Sequence, residues 1–185
     1  MTRNKAIIKP NKPIIIKAPL GCMIRLNKNQ IDYGNLKSRK ELKGFREQTN
    51  RHITIVGGKP SIKIKEALNK FSLAERKKKL VELKTLLKNL EWQYIQKEIY
   101  FISEKSYFGN PKVLEHRKSY IRLIKMPNID IFYRRLNALL KTHIPTQFPH
   151  ITLFTKGEHP DRTYFGIPMN SKTAFKKFHP KKIKS

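Results

Sequence analysis

Apolar residues recur along this chain at two different periods, and the switching between them constrains the fold more than any other feature. From Ile62 to Leu90 the pattern is helical. Leu73, Leu80, Leu83, Leu87 and Leu90 fall three, four and seven apart, with Lys77, Lys78, Lys84 and Lys88 on other faces. A break near Phe71-Ser72 divides this run into two helices, with Ser72 as N-cap and Glu75 completing a capping box. Arg51-His52-Ile53-Thr54-Ile55-Val56 alternates instead, is rich in β-branched residues, and stops at Gly57-Gly58 and Pro60, so it reads as a strand. His150-Ile151-Thr152-Leu153-Phe154 is a second strand of the same kind. Tyr94 to Ser103 and Ser119 to Lys125 also alternate, joined through Phe108-Gly109-Asn110-Pro111, which is turn chemistry.

The remaining elements follow from weaker signals. Short strand-like pieces lie around Ile14–Ile16 and Met23–Leu26, and Leu36 to Gln48 reads as a short charged helix with Leu42 and Phe45 three apart. Asn128 is placed to cap a helix running to about Thr142, with Phe132, Leu136, Leu139 and Leu140 as its apolar stripe. Gly157 to Asp161 turns the chain, and Arg162 to Met169 is expected to return as a hairpin partner. Strands and helices mix throughout, so the expected class is α+β with a largely antiparallel sheet.

Composition narrows the partners. The 185 residues carry 41 Lys+Arg against 13 Asp+Glu, a formal charge of +28, which points to a polyanion and to nucleic acid or a nucleotide first. With 38% hydrophobic residues the chain can still fill a core, so the charge does not imply disorder. No apolar run approaches the ~20 residues of a membrane span. Pro13-Ile14-Ile15-Ile16 is cut by Lys17 and Pro19, too short for a secretory signal, so a cytoplasmic location is expected. Cys22 is the single cysteine and cannot form an internal disulfide. The tail from Lys172 to Ser185 holds six lysines and no acid; it reads either as a basic arm on phosphates or as a solvated, poorly ordered end.

One triplet occurs twice. His-Ile-Thr stands at 52–54 and again at 150–152, each copy inside an alternating strand, followed by an apolar residue and preceded by a helical segment. With 6 histidines and 10 threonines, chance supplies roughly a third of one His-x-Thr in the whole chain. Alternate residues of a strand share a face, so each histidine stands beside its threonine while the isoleucine between them points into the core. Two imidazoles suit general acid–base chemistry because one can be neutral and the other protonated near neutral pH. Threonine hydroxyls can donate to the non-bridging oxygens of a phosphate. His116, His143, His159, His179 and Cys22 show no metal-ligand spacing, and Gly57-Gly58-Lys59 lacks the glycine and hydroxyl positions of a phosphate loop.

These motifs resemble those of the 2H phosphoesterase superfamily, whose signature is two His-x-Thr/Ser-x motifs about this far apart. Gln147-Phe148-Pro149-His150-Ile151-Thr152-Leu153 is similar to the second motif of RNA ligase-like and cyclic phosphodiesterase members, and His52-Ile53-Thr54-Ile55-Val56-Gly57-Gly58 resembles the first. The resemblance covers roughly residues 35–170, flanked by a basic N-terminal segment at 1–34 with short strands and the tail at 171–185. It implies a bilobal fold, with two pseudo-symmetric, mostly antiparallel sheets backed by helices and a central cleft. It also implies metal-independent, cofactor-free hydrolysis or ligation of 2′,3′-cyclic or 2′,5′ phosphodiesters, in RNA processing or repair. His52 and His150 would then be the acid–base pair, and Thr54 and Thr152 the phosphate anchors. The expected partner is RNA or a nucleotide with a cyclic phosphate, bound by a monomer away from membranes. Two alternatives stay open: degradation of cyclic oligonucleotides, as phage anti-CBASS members of the superfamily do, and RNA binding without catalysis. Lys156 and Arg162 flank the turn after the second motif and are candidate phosphate contacts. Tyr107, Phe108, Tyr164 and Phe165 are candidate stacking residues, each with core or rim packing as its competing role.

Overall fold

The computed structural model describes residues 8, 13–17, 21–38, 42–108, 111–159 and 166–183. Among the described residues, eight strands and four α-helices run in the order β1 (Ile14–Lys17), β2 (Gly21–Arg25), β3 (Arg46–Glu47), β4 (His52–Val56), α1 (Gly58–Leu68), α2 (Leu73–Asn89), β5 (Ile95–Phe108), β6 (Val113–Lys125), α3 (Pro127–Leu140), β7 (His150–Lys156), α4 (Lys172–Lys177) and β8 (Lys181–Lys182). They form two sheets, ordered β1-β2-β4 and β3-β7-β6-β5-β8, whose described pairings are antiparallel. The protein is therefore α+β. It divides into two compact units, residues 1–26, 52–95 and 125–149 in the first and 27–51, 96–124 and 150–185 in the second. The boundary expected at residue 34 falls inside the second unit, and β1 and β2 join the sheet of the first.

In the first unit Cys22, Ile24, Ile53, Ile55 and Val56 of the sheet are buried, as are Ile64 and Leu68 of α1, Leu83 and Leu87 of α2, and Phe132, Tyr133 and Leu136 of α3. α1 and α2 pack on α3, whose Tyr133 reaches β4 through its hydrogen bond to Ile55 O. The capping box at Ser72 forms as the sequence predicts: its Oγ accepts from Glu75 N, and Glu75 Oε2 accepts from Ser72 N at 3.0 Å. Pro60 sits in the first turn of α1, where a backbone N–H has no helical partner to lose. Asn128 does not cap α3. Pro127 opens that helix after Met126, and the Asn128 side chain instead donates to the Glu91 carbonyl.

In the second unit both faces of the five-stranded sheet are covered. Successive β5 residues point to opposite sides, so Phe101 meets Tyr120 on one face while Tyr100 meets Phe175 of α4 on the other. Described residues of 27–45 lie on the first face, with Phe45 tilted against Tyr120 and Tyr33 edge-on to Phe154. No α-helix forms over the described part of 36–48. A 3₁₀ turn at Gly34–Ser38 is followed, after residues 39–41 outside the described set, by a turn at Gly44 and then β3. Gly44 has φ +79°, a backbone conformation that side-chain-bearing residues rarely adopt, so glycine suits the reversal there. β3 takes the edge position beside β7. The hairpin return expected at 162–169 falls partly outside the described residues, and its described part, 166–169, is not a strand. The C-terminal tail is docked: Phe175 is buried and β8 pairs with β5. No helix among the described residues is long and apolar enough to cross a membrane.

Candidate functional site

Each His-Ile-Thr triplet opens a strand, and the two strands share an irregularity. Against β2, His52 pairs with Arg25, Ile53 with Ile24 and Thr54 with Met23, but Val56 then pairs with Cys22, leaving Ile55 as an extra residue. Against β6, His150 pairs with Leu123, Ile151 with Arg122 and Thr152 with Ile121, but Phe154 then pairs with Tyr120, leaving Leu153 extra. Both motif strands thus carry a one-residue bulge at the third position after the histidine. A bulge bends its strand and re-aims the side chains beside it. Both bulge carbonyls are satisfied: Tyr133 Oη donates to Ile55 O at 2.9 Å, and Gln48 N donates to Leu153 O at 2.9 Å.

Sidedness follows from register, because directly paired residues lie on one face. On the first unit His52 and Thr54 share a face with Arg25 and Met23, opposite the face where Ile53 is wholly buried. Arg25 is exposed there, directly across from His52. On the second unit His150 and Thr152 share a face with Leu123 and Ile121, while Ile151 is wholly buried on the other. Alternation along β6 brings Ser119, Arg117 and Glu115 to the His150 face, where Ser119 pairs with Thr155. Gly166 passes over this face: a Cβ on it would stand 3.4 Å from Thr152 Oγ1, and its carbonyl accepts from Arg117 Nη1 at 3.5 Å. Arg117 also forks onto Glu115 Oε2 through Nε and Nη2, both at 3.0 Å. Burial raises the Glu104 carboxyl above its usual range, opposed by the nearby Arg117 charge.

The approach to the first motif is held by charge. Arg51, which precedes His52 in the chain, donates from Nε to Tyr33 Oη at 2.7 Å and from Nη2 to Glu47 Oε1 at 2.8 Å, and Tyr33 donates to that same oxygen. These charge-assisted bonds raise the guanidinium above its ordinary value despite its partial burial.

The other sequence candidates part company. Lys156 pairs with Lys118 and so lies on the face opposite Thr152, where its Nζ stands 5.8 Å from the Phe45 ring centroid and 3.5 Å from the Lys43 carbonyl. The bulge causes this: without the extra residue Leu153, even-numbered Lys156 would share the face of His150. Tyr107 is 65% exposed near the end of β5, whereas Phe108 is buried under the Arg117 guanidinium, 4.0 Å away, and offers no stacking surface. Arg162, Tyr164 and Phe165 lie outside the described residues. Arg25, Arg117 and Ser119 were not legible as site neighbours, since nothing in the sequence states which strand pairs with which. Among the described residues no group of three or more His, Cys, Asp or Glu side chains is placed to hold a metal ion. No family model, curated protein or solved structure matches the chain.

Proposed function

We propose that the protein is a 2H-type phosphodiesterase acting on RNA at 2′,3′-cyclic phosphate or 2′,5′ linkages. The observation that carries this reading is the duplicated local structure. Two His-Ile-Thr strands each set imidazole and hydroxyl side by side on a face away from a buried isoleucine, and each is bulged at the same position. A repeated bulge is a device for aiming side chains, and a merely structural histidine does not call for one.

In this reading the two units are the lobes of a 2H-like fold, and each carries one His–Thr pair of the reaction. One of His52 and His150 takes the proton from the attacking water; the other protonates the leaving ribose oxygen. The hydroxyls of Thr54 and Thr152 donate to the non-bridging oxygens, and Arg25 beside His52 supplies positive charge as the phosphorane forms. The enzyme would work as a monomer and without a metal.

The test is a panel of RNAs with cyclic phosphate ends, 2′,5′-linked oligomers and cyclic dinucleotides, with products read by mass. Wild type is expected to open the cyclic ends or cut 2′,5′ bonds in the presence of chelator. His52→Ala and His150→Ala are each expected to lose activity by 10³-fold or more, as an order of magnitude for removal of an acid–base group with its anchoring, while keeping the wild-type unfolding midpoint. Wild-type turnover in either variant would overturn the mechanism. Turnover confined to cyclic dinucleotides would redirect it to small cyclic substrates.

A further inference from the structure

The helix α2 carries a feature that the catalytic reading does not use. It buries only Leu83 and Leu87 of its seventeen residues, and exposes Leu73 at 66% and Val81 at 63%. At about 100° per residue, Lys77, Val81, Lys84 and Lys88 fall within roughly 60° of one another, with Leu73 continuing the same line. This line flanks the buried pair, roughly 60–140° around the helix from its centre, and runs for about 22 Å at 1.5 Å per residue. Lys77, Lys84 and Lys88 are all exposed, and none has a hydrogen bond or ion pair among the described residues. The helix's two acids lie off the line, and Glu75 is held in the cap by Ser72. Lys79 is turned elsewhere, donating to the Leu139 carbonyl at 2.9 Å with its ammonium 4.4 Å from the Phe71 ring centroid.

Like charges one turn apart, such as Lys84 and Lys88, repel along a helix. A stripe of them without neutralising acids costs stability, and a polyanion laid along it removes that cost. We infer that the Leu73–Lys77–Val81–Lys84–Lys88 face of α2 is a docking track for single-stranded RNA, its lysines on successive phosphates and its two apolar side chains on base faces. The apolar side chains decide between strands, because a duplex hides its base faces and a single strand presents them. They also argue against a membrane surface: an interfacial helix exposes its whole apolar face, and that of α2 is turned into the core. RNA as the occupant rests on the proposed function, but the track is tested by binding alone.

The experiment is fluorescence anisotropy of an unstructured pyrimidine RNA oligomer against salt, using the full chain. Each lysine–phosphate contact on a single strand contributes about 0.7 to the slope of log affinity against log salt. The triple variant Lys77→Gln/Lys84→Gln/Lys88→Gln is therefore expected to have a slope shallower by about 2 and an affinity at least ~10-fold weaker at low salt. Its circular dichroism should match wild type, since glutamine is a good helix former. Lys172→Gln/Lys176→Gln/Lys177→Gln removes the same charge from exposed positions of α4 and is expected to change the slope by less than about 1. Equal slope changes in the two triple variants, or no change in the first, would overturn the track. So would loss of binding to phosphatidylserine vesicles by the first variant with its RNA slope intact. RNA that binds through these lysines but is never cut sinks the catalytic reading and keeps the track; RNA that is cut with a slope indifferent to them does the reverse.

Discussion

Replacing Tyr133 with phenylalanine removes one oxygen from the first unit and should cost far more than an average hydrogen bond. The Tyr133 side chain is 1% exposed, and burial pushes its hydroxyl well above the ordinary tyrosine range, so it acts only as a neutral group. It donates to Ile55 O at 2.9 Å, the carbonyl of the bulge residue, and accepts from the backbone N–H of Gln147. Both partners are buried. Phenylalanine keeps the ring and opens no methylene-sized cavity, so the cost is that of orphaning a buried carbonyl and a buried N–H. At about 1–3 kcal/mol for each unsatisfied group the expected loss is about 2–6 kcal/mol. Urea unfolding followed through Trp92 reads it directly, because that single tryptophan is buried in the same unit, 5.9 Å from Phe132. With a slope of about 2 kcal/mol/M, the midpoint should fall by roughly 1–3 M at unchanged slope. A loss under about 0.5 kcal/mol, the range of neutral surface changes, would show that the hydroxyl does not satisfy the bulge and would refute the account of how β4 holds its shape.

Four further outcomes are expected. Ser72→Ala removes the acceptor for Glu75 N and should destabilise the protein by about 1 kcal/mol in the same unfolding experiment, with Ser72→Asp retaining most of the cap. Burial pushes the Cys22 thiol from 9.0 up to about 12, so native protein should resist iodoacetamide near pH 8 and react only in urea. The same shift sets a pH sign: because the folded state holds the thiol protonated, this group costs nothing below pH 9 and takes stability away as pH rises from there toward 12, a loss that Cys22→Ala abolishes. Arg25→Gln should lower kcat/KM on a cyclic phosphate by roughly 10–100-fold, the worth of one charge-assisted contact, and leave the unfolding midpoint in place because the side chain is exposed.

Local patterns were legible wherever a residue's role depends on its neighbours in sequence. The capping box at Ser72 and Glu75, the break before α2, the two motif strands and the burial of Ile53 and Ile151 all follow from periods of 3.6 and 2 and from cap chemistry. Residues 36–48 misled for a physical reason: Leu42 and Phe45 sit at helical spacing, but Phe45 packs on Tyr120 and the chain reverses at Gly44. Long-range packing there overrode a weak local preference. The tail misled likewise, since its lysines hide Phe175, which packs against Tyr100, and take part themselves in the pairing of β8 with β5.

The types of element, the charge and the coincidence of two His-Ile-Thr strands could be read along the chain, because each is a property of adjacent residues. Strand pairing could not, and with it came the neighbours of each histidine: Arg25 across from His52, Ser119 and Arg117 on the face of His150, and Lys156 turned away from it. A bulge is a mismatch in length between two strands, so it belongs to a pair and not to either sequence. The one after Leu153 alone is enough to move Lys156 from the histidine's face to the other.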